Sequence, residues 1–172
     1  MRGPVLMLAM LMPALSVGCV IPPSLEADVP VPEVNSPPAI LSVTSDQQAL
    51  PEPGPVLFDQ QSMDTLNISL VDTDVLDTLY VGIFVDYNLP NRLAARAKCN
   101  AAPTSTPLRT ATCRLNSLCV DADVGVQRAM TIVVFDRPPD DTGALDPPFQ
   151  AMGNGGLSTS RFYFLKCQPA QL

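Results

Sequence analysis

Four cysteines in the latter half of this 172-residue chain, Cys99, Cys113, Cys119 and Cys167, have the side chains best suited to chemistry. Thiolates either hold a metal or oxidise in pairs. Zinc cysteines usually come as C-x₂₋₄-C, and no two here are that close. Disulfides are therefore expected, and an even set of four can pair fully. Four cysteines allow three pairings. One of them is a local Cys113–Cys119 clasp that leaves Cys99–Cys167 to reach the last strand.

Carboxylates are the second candidate chemistry. Asp72, Asp74 and Asp77 crowd one turn, and Asp121, Asp123 and Gly125 mark another. Calcium takes several oxygen ligands from a flexible loop, so Asp72, Asp74 and Asp77 are candidate metal ligands. Neither turn carries the full D-x-[DN]-x-[DN]-G loop. Aspartate is also a good turn former, because its side chain accepts from nearby backbone amides. Paired carboxylates also serve glycoside hydrolysis, but no partner groups accompany them here. The chain has no histidine, which removes imidazole acid–base work, His-dependent triads and His-ligated zinc. No catalytic residue can be named, no cofactor is expected, and the chain is read as not an enzyme.

Charge is uneven. The formal net charge is −7, which argues against a nucleic-acid partner. Yet residues 89–120 hold no acid and five bases, Arg92, Arg96, Lys98, Arg109 and Arg114, together with three of the four late cysteines. A basic, crosslinked insert could meet an envelope protein or an anionic polymer. The favoured alternative is that it pairs with the aspartate turns of its own chain or is simply a solvated loop. Residues 137–160 show no strand or helix pattern and are long for a loop, which is where recognition often sits. In it Phe149 and Met152 are either contact residues or plugs for the sandwich.

The N-terminus reads as an address. Arg2 is the only charge before Glu26, and residues 5–15 are almost continuously apolar, broken once by Pro13. This is the pattern of a secretory signal peptide and is too short to span a bilayer. Leu15-Ser16-Val17-Gly18-Cys19 resembles the lipobox of bacterial lipoproteins. The resemblance implies cleavage before Cys19 and acylation of that residue. Residues 1–18 are then a signal peptide, and a membrane is a partner through the N-terminal lipid. Val20 follows Cys19 where an inner-membrane retention signal would place aspartate, which implies the outer membrane of a bacterial envelope. Six prolines fall within residues 20–38. Residues 19–38 are expected to be the lipidated cysteine and an extended, semi-rigid tether.

From residue 39 to 172 the expected domain is all-β. Short runs with period-two alternation fall at residues 39–45, 56–58, 66–70, 79–87, 130–135 and 162–167, bounded by Pro, Gly, Asn and Asp. Helical periodicity appears only at residues 92–98, for about two turns. DTDVLDTLYVGIFVD at residues 72–86 and MTIVVFDR at residues 130–137 resemble the Asp-rich turn, following strand and penultimate strand of bacterial extracellular Ig-like modules. The fold expected is an Ig-like antiparallel β-sandwich with a short cysteine-bearing insert. The function expected is a non-catalytic structural or binding module on a lipid-anchored envelope protein. A calcium-dependent adhesion module is the rival reading, and an aspartate-dependent hydrolase the third.

Overall fold

The computed structural model describes residues 34–170 except Gln47 and Ser62. The signal peptide, Cys19 and most of the tether lie outside the described residues. Among the described residues nine strands form two packed sheets: β1 Ala39–Ser45, β2 Gln48–Ala49, β3 Val56–Asp59, β4 Thr65–Val71, β5 Leu79–Val85, β6 Ala97–Ala101, β7 Leu108–Arg114, β8 Gln127–Phe135 and β9 Ser158–Gln168. The first sheet has the order β2-β1-β4-β7 and the second β3-β9-β8-β5-β6. Strands one, four and seven on one side, against five, six, eight and nine on the other, give an Ig-like arrangement. All pairs are antiparallel except β3 and β9, which run parallel, where an antiparallel sandwich was expected.

Alternation drives the packing. Leu66, Ile68 and Leu70 of β4 point inward and are fully buried. They meet Val81, Ile83 and Val85 of β5 and Met130, Ile132 and Val134 of β8 in one cluster between the sheets. Burying a side chain of this kind contributes about 1.5–3 kcal/mol each, set against chain entropy. Phe84, Val133 and Phe135 point the other way and are also buried. The second sheet is therefore covered on both faces at β5 and β8, which read as nearly continuous apolar runs, while Phe162 and Phe164 of β9 stay exposed on the outer face.

Residues 92–98 do not form the expected helix. Two turns of good helix formers cannot offset nucleation alone. The sheet offers more: Arg96 N donates to the Ile83 carbonyl at 2.8 Å, and Ala97 and Lys98 register against Ile83 and Gly82. The cysteine-bearing segment is likewise part of the sandwich, supplying β6 at the edge of one sheet and β7 at the edge of the other.

The disulfides are Cys99–Cys113 and Cys119–Cys167, with Cα–Cα distances of 5.0 and 5.6 Å. The local Cys113–Cys119 clasp does not form. Cys113 points inward from β7, toward β6 across the sandwich edge. Cys119 has already left that strand and lies against β9, where Val124 and Gly125 also meet Cys167. Tether residues join the domain earlier than residue 39. Asn35 Nδ2 donates to Asp136 at 2.6 Å and to the Gly155 carbonyl at 2.8 Å, and Ser36 N donates to Asp74 at 2.8 Å.

Candidate functional site

The segment from Asp136 to Leu157 crosses back over the outer face of the second sheet. It enters and leaves through one buried carboxylate. Asp136 N donates to the Leu157 carbonyl, and Leu157 N donates to Asp136 Oδ1 at 2.8 Å. Pro139 and Met152 pair across the loop, and Asp140 N donates to the Ala151 carbonyl at 2.8 Å. Asp140 closes the tip by accepting from Thr142 Oγ1 and from the amides of Thr142 and Leu145. The Thr142 hydroxyl, followed by the Leu145 amide, holds its carboxyl below the usual range. Gln150 Nε2 donates to the Tyr87 carbonyl at 2.9 Å.

Phe149 and Met152 pack onto Phe84, Val133 and Phe135, so both serve as cover for the sheet. Phe149 stands at φ 58°, a backbone region that bulky residues rarely occupy. Its ring lies against Gly143, where an added Cβ would come within 2.6 Å. Beside it is a small cleft of about 60 Å³ lined by Tyr80 and Phe149, with the buried Phe84 and Phe135 behind them. Gly82 forms part of the floor, and the Phe84 ring lies so close that a Cβ there would meet it at 2.6 Å. Phe84 stacks edge-on with Tyr87 and Phe135, at centroid distances of 4.9 and 6.5 Å. At the rim, Lys98 Nζ pairs with Asp141 at 2.7 Å, both half-exposed. Arg92, from the β5–β6 connection, lies 4.0 Å from Asp146 of this loop. The mostly apolar walls with a polar pair at the rim have the chemistry of a small-ligand site, and the space admits a group of a few heavy atoms.

The structure does not bring Asp72, Asp74 and Asp77 round a common point. Asp72 is buried and lies 3.6 Å from Arg109; Asp74 accepts from Ser36 N; Asp77 pairs with Arg137 at 2.7 Å. Among the described residues no three His, Cys, Asp or Glu side chains are grouped to hold a metal ion. Arg109 instead organises this turn, donating to the carbonyls of Asp74 and Asp77. Burial pushes the Asp72 carboxyl up, outweighing the Asp74 amide and the Arg109 charge.

The second aspartate turn is a short 3-10 helix, Asp121–Asp123. Its buried Asp123 accepts from Arg96, and from Arg128 Nε at 2.8 Å. Burial alone would raise this carboxyl, but the two guanidinium bonds outweigh it and hold it below the usual range.

The five basic residues do not form one patch. Arg92, Arg96, Lys98 and Arg109 each pair with an aspartate of this chain, and Arg114 is exposed at the end of β7. All four late cysteines are consumed in the two disulfides.

The sequence flagged Phe149 and Met152 but missed Tyr80, Phe84 and Phe135 as a group. Their one signal was that apolar residues also occupy the solvent positions of the alternating runs at residues 79–87 and 130–135. What these observations define is a two-sheet β-sandwich with an aromatic cleft under its longest loop. Compared with protein-family models and with curated proteins, the sequence matches none.

Proposed function

We propose that this chain is a lipid-anchored protein of the bacterial outer membrane whose sandwich acts as a non-catalytic binding module. The lipobox-like run ending at Cys19 supports the anchor, and the proline-rich residues after it support a spacer. The observation that carries the binding reading is the aromatic cleft beneath the β8–β9 loop. The aspartates and arginines of the two turns are engaged with one another, so the structural reading of those turns needs no metal.

Intact mass spectrometry of the membrane fraction, before and after reduction, tests the anchor. The expected species begins at Cys19, carries acyl chains, and gains four hydrogens when its two disulfides are reduced. An unacylated protein in the soluble fraction overturns the lipoprotein reading. The binding reading is tested by titrating the cleft, as set out next.

A further inference from the structure

We propose that the cleft binds an organic cation of the trimethylammonium class, with Asp141 as its counter-ion. This deepens the binding-module reading and rests on it. The chain has nine aromatic residues, and four of them gather at this one cleft: Tyr80 and Phe149 are partly exposed at its mouth, and Phe84 and Phe135 are buried behind them. Aromatic rings carry negative π faces, which attract a cation and disfavour a carboxylate. A quaternary ammonium has no N–H to satisfy, so the apolar walls strand no donor on it.

The rim already shows the exchange. Lys98 and Asp141 form a cation–carboxylate pair at the mouth, with side chains 48% and 62% exposed. A pair this exposed is screened by water and weakly held, so swinging Lys98 into solvent costs little. A ligand cation takes its place beside Asp141 and gains the rings as well. The net charge of −7 draws cations toward the surface and repels anions. Phe149 fits the same picture. A bulky residue held at φ 58° is a strain that a loop sustains where the ring's placement matters, as at ligand clamps.

A trimethylammonium group reaches the envelope in two forms, as a small free cation or as the head of a lipid. Both share the chemistry, and separate probes distinguish them. Isothermal titration calorimetry on the full chain in a maltoside detergent would compare choline with 3,3-dimethylbutan-1-ol, its uncharged isostere. The expected result is choline binding at least about fivefold tighter, the share of a cation–π and counter-ion contribution. Lys98→Ala removes the competing cation and is expected to tighten choline about threefold, while Asp141→Asn weakens it about threefold or more. Both positions are exposed, and unchanged circular dichroism and melting would show the variants folded. Glycerophosphocholine binding as well as choline would assign the lipid head, and its rejection would assign the small free cation.

Equal binding of the isostere overturns the role of charge. So does a Lys98→Ala variant that binds choline more weakly. If 3-phenylpropionate or the isostere titrates and choline does not, the cation is wrong and the binding module stands. If none of the probes titrates, both fail.

Discussion

Asp72 and Asp123 are both buried aspartates in tight turns, yet their carboxyls shift in opposite directions. Asp123 has two guanidiniums hydrogen-bonded to it, one on each oxygen. Asp72 has Arg109 at 3.6 Å and only the Asp74 amide bonded to it; its Oδ2 and Arg109 Nε are both buried without a hydrogen-bond partner. Burial is the largest influence on each. The sign is decided by how many donors reach the carboxylate. The Asp123 site is an ion-pair network that holds its charge. At the Asp72 site the arginine does most of the work, and its guanidinium is spent on backbone carbonyls.

Substitutions separate these roles. Arg109→Ala should cost the most, about 3–5 kcal/mol in urea unfolding, because it strands a buried carboxylate and two carbonyls. Asp123→Asn should follow at about 2–3 kcal/mol, the scale of lost hydrogen bonds to a charged group. Asp72→Asn should cost about 1 kcal/mol or less, since the amide oxygen can still accept from Asp74 N and the burial of charge is relieved. If Asp72→Asn proves as damaging as Asp123→Asn, the contrast collapses.

Acid sharpens the comparison further. The folded Asp123 carboxyl sits below its unfolded value. Its contribution is present above the unfolded pKa and is lost as pH falls through the folded one. Asp72 is shifted up, so its contribution is fully present below the unfolded pKa and is lost as pH rises through the folded one. Across about pH 3 to 7, Asp123→Asn should flatten the acid loss of stability and Asp72→Asn should steepen it. Urea midpoints across that range give both signs. The smallest effect belongs to an exposed pair. Lys98→Ala should move stability by at most about 1 kcal/mol, in line with surface ion pairs.

Six of the nine described strands were legible because their inward positions are mostly Leu, Ile, Val, Met, Phe or Tyr at period two, with β1 departing from it where a bulge sets Ile40 and Val43 three apart. β7 was not, because it turns Arg109, Ala111 and Cys113 inward, and that alternation carries no hydrophobic signal. β6 was hidden behind helix-forming alanines, and pairing with β5 overrode that propensity. The disulfide partners depended on which strands become neighbours across the sandwich edge, which spacing does not encode. The cleft was half visible. Phe149 stood out in a polar loop, but Tyr80, Phe84 and Phe135 fell on positions that alternation assigns to solvent. Only a loop returning from 14 residues beyond Phe135 covers them, and nothing local to β5 or β8 announces it.

The parallel pairing of β3 with β9 has a mechanical meaning. Four residue pairs, from Val56 with Leu165 to Asp59 with Gln168, hold the two strands in register. Tension applied between the start of β3 and the end of β9 loads this pairing along its length. Two strands running the same way must then slide past each other, so their bonds share the force and fail together. A hairpin pulled at its adjacent ends would instead unzip one bond at a time. The pairing of β3 with the last strand is therefore loaded in shear rather than peeled when tension runs between those two strands.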